Sequence, residues 1–358
     1  MDIGLKHIGE QVIVITGASS GIGLVTAKEA AKRDARVVLA ARNAGDLERA
    51  VAEIRAAGGR AVFHVCDVSD PSQVDGLAQR AVEEFGGFDT WVNNAAVSIY
   101  GRCIEVPLAD MRRQFDVNYW GHVHGMLAAV KHLRSRVGTT GMGEAAGGAI
   151  INVASALADR AIPLQGNYCA TKHAIKAFTN SLRMELEDEG IPISITLLKP
   201  GSIDTPLFQK SKTLLGVEPQ PIPPVYTPQV VAHAILEAAQ HPMRDLIVGG
   251  MGKVVSLGEK LSPRLSDKYM ERSTFESQKT EIRAAADRPS NLYEPLDHDG
   301  GERGHFQGRV KKWSAYTESV LHPRAAAGIF AGLGLTIAAG VRAIRRKTSR
   351  QDGAERPL

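Results

Sequence analysis

At 358 residues, the chain is long enough for one large domain or two of about 150 residues each. Hydrophobic residues make up 44% and charged residues 23% of it, which excludes wholesale disorder. The three cysteines, Cys66, Cys103 and Cys169, form no CxxC pair, which argues against a disulfide scaffold or a zinc site and for a reducing compartment. The net charge of +4 is concentrated at one end. Residues 325–358 hold six basic and two acidic groups, so residues 1–324 balance at 37 of each sign. A neutral body lacks the basic face of a nucleic-acid binder.

The first ten residues have no apolar stretch of signal-peptide length. Residues 12–15 then form a short β-branched run that breaks into a glycine-rich turn and an alanine-rich helical stretch. Further buried-strand patterns follow at 36–40, 61–65, 90–93, 149–153 and 193–198, with a seventh at 246–249. Helical spacing separates them, and a loop rich in Gly and Thr lies at 138–148. This alternation predicts βαβ units in an α/β, doubly wound parallel sheet of Rossmann type with both faces covered. After residue 252 the alternation stops. Polar residues dominate 253–322, including Asp287-Arg288-Pro289-Ser290 and His298-Asp299-Gly300-Gly301, and predict an irregular extension or linker. The chain therefore divides into a catalytic domain at 1–252, the extension at 253–322 and an apolar, basic tail at 323–358.

The turn after the first strand reads Thr16-Gly17-Ala18-Ser19-Ser20-Gly21-Ile22-Gly23. Glycine permits positive φ and close backbone approach, and the following helix N-terminus offers unpaired N–H groups to a pyrophosphate. A tight βα turn with no ligand has the same local pattern, so the turn alone is weak evidence. Its GxxxGxG spacing differs from the GxGxxG of long Rossmann dehydrogenases. TGxxxGxG resembles the short-chain dehydrogenase/reductase family, and other motifs follow in that family's order. Asp67-Val68 stands after the third strand and Asn93-Asn94-Ala95-Ala96 after the fourth, with Ala96 in place of the usual glycine. Asn118, Ser155, Tyr168-Cys169-Ala170-Thr171-Lys172 and Pro200-Gly201 come next. The resemblance spans roughly residues 10–250.

The resemblance implies cofactor contacts from Gly17, Ser19, Ser20, Gly21, Ile22, Gly23, Asp67, Val68, Asn94, Ala95, Tyr168, Lys172, Pro200, Gly201, Ile203 and Thr205. The second strand ends Leu39-Ala40-Ala41-Arg42. An acidic residue there would hold the ribose 2′-hydroxyl of NAD, whereas an arginine accommodates the 2′-phosphate of NADP through paired charge-assisted bonds. Arg42 points to NADP; the plainer reading is a cation on a solvated turn.

Tyr168 and Lys172 lie four residues apart and share a helix face. Free tyrosine titrates near ~10, too high for a base at neutral pH, and a nearby ammonium or oxidised nicotinamide would lower it. Ser155 stands where it can donate a hydrogen bond to a substrate oxygen. In the resembled family this trio is the active site, and the equivalent of Asn118 holds a water in a proton relay through the lysine. Singly, the same residues would read as a helix cap, a turn residue and a common amphipathic pair. His122, His124 and His173 show no metal-ligand spacing, and Cys169 reads as a small buried side chain. Residues 207–226 carry Leu207, Phe208, Leu214, Leu215, Val217, Ile222, Val225 and Tyr226 among prolines, which suggests an apolar substrate loop or a cover for the core.

Residues 325–341 contain Thr336 as their one polar side chain, with Arg345, Arg346 and Lys347 shortly beyond. Twenty helical residues reach about 30 Å, close to a bilayer's hydrocarbon thickness. The tail at 325–347 is expected to contact a membrane, in plane on charge grounds. A soluble helix at an oligomer interface is the alternative. The expected protein is a cytoplasmic, homo-oligomeric NADP(H)-dependent oxidoreductase acting on a small carbonyl or alcohol. Two rivals are a silent nucleotide-binding membrane scaffold, disfavoured by the Tyr168–Lys172 pair, and an epimerase or dehydratase, whose turn is usually GxxGxxG.

Overall fold

A computed structural model describes residues 3–136, 147–285 and 287–323. Seven strands form the central sheet: β1 (Val12–Thr16), β2 (Arg36–Ala41), β3 (Arg60–Val65), β4 (Thr90–Asn93), β5 (Gly148–Val153), β6 (Ile193–Pro200) and β7 (Asp245–Val248). Their order is β7-β6-β5-β4-β1-β2-β3, and every pairing is parallel. In β1, Ile13, Val14 and Ile15 are fully buried, as a central strand covered on both faces requires. Val14 packs in a cluster with Val38, Trp91 and Ile150. Burying each such side chain stabilises the fold by roughly 1.5–3 kcal/mol.

The crossovers are α1 (Gly21–Ala31), α2 (Ala44–Ala56), α3 (Pro71–Phe85), α4 (Leu108–Phe115), α5 (Gly121–Ser135) and α6 (Gly166–Asp188). Side-chain caps fix the starts of α2 and α3. The Asn43 side chain accepts from Asp46 N at 3.0 Å at the head of α2, and Asp70 accepts from Ser72 N before α3, whose first residue is Pro71. Ser20 makes no side-chain cap for α1, and the first amide of that helix, Gly21 N, donates to Gly301 O at 2.8 Å. A π-helical turn, Asp116–Trp120, joins α4 to α5. A short α7 (Leu207–Lys210) follows β6, and α8 (Pro228–Ala238) packs beside α1 before β7.

Residues 253–322 differ from the irregular extension that their polarity suggested. α9 (Gly250–Leu261) and α10 (Pro263–Ser277) occupy the first third, and Lys279–Arg283 pairs antiparallel with Val217–Pro219. Val225–Tyr226 is paired with Val310–Lys311 on one side and Ser202–Ile203 on the other. Met270 and Leu292 are buried. Apolar side chains spaced too widely to give a periodic signal thus anchor a polar segment. The chain divides into two compact units, Met1–Ser314 and Ala315–Leu358, so most of the extension belongs to the first. In the second, the described element is α11 (Ala315–Leu321). The tail expectation at 325–347 lies outside the described residues, as does most of the 138–148 loop. Among the described residues, no helix is long and apolar enough to cross a membrane.

Candidate active site

Because β1 runs out to β3 on one side and the chain then returns to β4 on the other, the carboxyl ends of β1 and β4 form the crevice where doubly wound sheets bind ligands. A cavity of about 490 Å³ lies there. The turn after β1 is shaped for close approach. Gly17 has φ +65° and Gly21 φ +55°, and a Cβ on Gly17 would sit 2.8 Å from Ala95 Cα. Asn94 braces this turn from β4: its Nδ2 donates to the carbonyls of Thr16 at 3.0 Å and Gly17 at 3.2 Å. Its backbone N–H donates to Thr16 Oγ1 at 2.9 Å. The resulting backbone cradle at the head of α1 fits a dinucleotide pyrophosphate.

Gly17, Ser19, Ser20, Gly21, Ile22, Arg42, Asp67, Val68, Asn94, Ala95, Ser155, Tyr168, Lys172, Pro200, Gly201, Ile203 and Thr205 all line this one cavity. Gly23 and Asn118 do not line it. Gly23 lies under the turn, where a side chain would strike the Gly17 carbonyl. Asn118 is fully buried behind the wall. Its Oδ1 accepts from Val97 N at 2.8 Å, and its Nδ2 donates to Val97 O at 3.0 Å and Thr171 Oγ1 at 3.3 Å. Its side chain is therefore committed to holding the 97 segment against α6.

Tyr168 and Lys172 project from the first two turns of α6. Lys172 Nζ donates to Val153 O at 3.0 Å and stands 5.4 Å from the centre of the Tyr168 ring. Burial pushes the lysine down to about 7. It pushes the Tyr168 phenol up, with the neighbouring Cys169 adding to the effect. The lowering of Tyr168 expected from its lysine neighbour is thus not found: desolvation acts on both groups, and it disfavours the charged form of each. Ser155 follows β5 and caps a 3₁₀ turn, its Oγ accepting from Leu157 N at 3.1 Å while the hydroxyl proton stays available to donate. Burial pushes the Cys169 thiol up to about 11, which leaves it protonated and unreactive. His122 is pushed down to about 3 by burial and the nearby Lys172, and is a neutral core residue. His124 and His173 face the backbone carbonyls of Val68 and Cys169 at 3.0 and 2.8 Å.

Arg42, Asp67, Lys210 and Asp299 cluster around the ends of β2, β3 and the glycine turn, and Lys172 is the remaining charged residue among the described lining. Burial alone would raise Asp67, but hydrogen bonds from Arg113 and Ser69 hold it below the usual carboxylate range. Arg113 Nη2 meets Asp67 Oδ2 at 2.6 Å, while Oδ1 accepts from Ser69 N and Oγ. Arg42 Nη1 donates to Tyr293 O at 2.6 Å, and its Nη2 donates to Asn291 O. Lys210 Nζ lies 2.7 Å from Ser20 Oγ and 3.2 Å from Asp299 Oδ1, and Asp299 Oδ2 accepts from Ser19 Oγ at 2.5 Å. The same lining includes Tyr100, Ile162, Leu207, Phe208, Ile222 and Met270. Of the loop expected to meet substrate, Leu214, Leu215, Val217 and Val225 lie off the cavity. Sequence reasoning missed Lys210, Asn291, Asp299 and the α10 wall. The turn signal His298-Asp299-Gly300-Gly301, with φ +87° and +73° at its glycines, was the one available pointer to a chain folding back on itself.

Comparison with known proteins agrees with this geometry. The short chain dehydrogenase family model matches residues 11–214. An uncharacterized oxidoreductase, YxnA, of Bacillus subtilis is 44% identical over 335 residues, covering 92% of this chain and 90% of its own length. The 1-deoxy-11-beta-hydroxypentalenate dehydrogenase of Streptomyces exfoliatus is 37% identical over 57% of this chain and 71% of its own. Among solved structures, a short-chain dehydrogenase/reductase from Burkholderia phymatum in complex with NAD is similar, with TM-score 0.62, 28% identity, and coverage of 71% of this chain and 94% of that one. So is an alcohol dehydrogenase from the archaeon Thermococcus sibiricus complexed with 5-hydroxy-NADP, with TM-score 0.56, 25% identity, and coverage of 66% and 95%. On the matched motifs, the parallel seven-stranded sheet and these relatives, the chain belongs to the short-chain dehydrogenase/reductase family of oxidoreductases.

Proposed function

We propose that this oxidoreductase interconverts an apolar, uncharged ketone or aldehyde and its alcohol with NADP(H), using Tyr168 as general acid and base. The observation that carries the reading is the shared cavity: the glycine cradle, Ser155, Tyr168 and Lys172 all open onto it, beside a small charged cluster and apolar side chains such as Ile162, Ile222 and Met270. When bound, the nicotinamide supplies the hydride. The chain's own residues then handle the oxygen. Ser155 donates a hydrogen bond to it, and in reduction Tyr168, kept protonated by burial, gives up its hydroxyl proton to it. Lys172, titrating near neutrality, supports the phenolate left behind. Asn118 acts through position, fixing the 97 segment and α6. Arg42 has five N–H donors, of which two go to backbone carbonyls. The others can meet a 2′-phosphate, which supports NADP over NAD. The three free cysteines fit a reducing, cytoplasmic setting.

The test is consumption of NADPH by the purified protein against a panel of ketones and aldehydes. Turnover of bulky apolar members, with poor turnover of carboxylated ones, is expected. A panel in which no carbonyl or alcohol exchanges hydride with either cofactor would overturn the reading.

A further inference from the structure

One buried polar atom beside the charged cluster of the cavity has no partner. Asn291 is 7% exposed, and its side-chain Oδ1 is sealed from solvent with no hydrogen-bond donor in reach among the described residues. Unpaired buried oxygens are rare because they lose their hydration and gain nothing. The backbone around it is pinned by the glycine-turn half of the site. Asn291 N donates to Lys210 O at 2.9 Å, its carbonyl accepts from Arg42, and the next carbonyl, Leu292 O, accepts from Arg113 Nε at 3.1 Å. Arg113 in turn pairs with Asp67 at the end of β3. From there the segment runs to the glycine turn, where Gly21 N donates to Gly301 O at 2.8 Å. Asp67 already accepts three hydrogen bonds, one from Arg113 and two from Ser69, so a ligand with several donors entering beside β3 gains from a second acceptor.

We propose that Asn291 is a cofactor-binding residue contributed by the C-terminal extension, its Oδ1 accepting a hydrogen bond from the adenosine half of the dinucleotide. Residues 291–301 form the outer wall of that half-site. A carboxamide is a suitable reader because asparagine pairs with adenine edges elsewhere in biology. The proposal rests on the dinucleotide reading above, but not on the choice of NADP over NAD, since adenosine is common to both.

The experiment is calorimetric titration of ADP-ribose and of NADPH into the full-length protein, its Asn291→Leu variant and its Asn291→Ala variant. Loss of one neutral hydrogen bond predicts about three- to ten-fold weaker binding of both ligands by both variants. In the absence of ligand, Asn291→Leu should melt no lower than wild type, because the oxygen removed had no partner to lose. Affinities within two-fold of wild type would overturn the proposal, as would weakened binding accompanied by a clear fall in the unliganded melting temperature. A wild-type protein that binds neither NADPH nor NADH would overturn the dinucleotide reading itself and this proposal with it.

Discussion

Lys172 is buried where an ammonium is poorly solvated, and its titration near 7 lies well below the ordinary 10.5 of a free lysine. Between those values the unfolded chain binds more protons than the folded one, so this residue makes stability rise with pH from 7 toward 10. The folded state gives up roughly 4 kcal/mol at pH 7 to keep it. Lys172→Met should therefore raise the melting temperature at pH 7, with the gain shrinking toward pH 10, while turnover collapses. Melts across that pH range check it, and a variant that melts lower at pH 7 would contradict the burial argument. The positions of Tyr168, Lys172 and Ser155 were legible because motif spacing on a helix and a strand end fixes side-chain direction. Their electrostatics were not, because desolvation depends on what packs around them in the folded chain.

The strands were legible as elements because each is a β-branched run bounded by turn residues, and α1, α2 and α3 start at a glycine turn, Asn43 and Asp70 that the chain displays openly. The wall of the cavity was another matter. α10 exposes most of its surface and contributes Met270 and Thr274 to the buried side, too few for a periodic signal. Arg42 joins the two kinds of element: it directly follows β2, and its guanidinium is held by carbonyls of the extension. Charge-assisted bonds are worth about 1.5–3 kcal/mol, or roughly 10–150-fold in affinity. Arg42→Ala should weaken NADP by that order and NAD by much less, as parallel titrations of the two would reveal. Equal losses would mean that Arg42 serves only to hold residues 291–293 in place.

At the scale of the molecule, the boundary expected at 252 moves to 314, since Leu292 and Met270 are core residues and the 291–302 segment meets the glycine turn. A chain ending at Ser314 should remain folded and bind cofactor with wild-type affinity. One ending at residue 252 should lose binding and precipitate, because it removes the wall of the cavity and uncovers apolar side chains. Circular dichroism and cofactor titration of the two truncations separate these outcomes, and a 252-residue chain that binds normally would return the extension to a mere linker. Under the proposed function, one cavity joins a cofactor cradle to a tyrosine that moves the proton. This reading is tested most directly by measuring NADPH turnover and NADPH affinity side by side in wild type and Tyr168→Phe, on a ketone that the wild type reduces. Loss of one general acid predicts turnover lower by about 10²–10⁴-fold with affinity changed less than about two-fold, whereas near-normal turnover of the phenylalanine variant would contradict it.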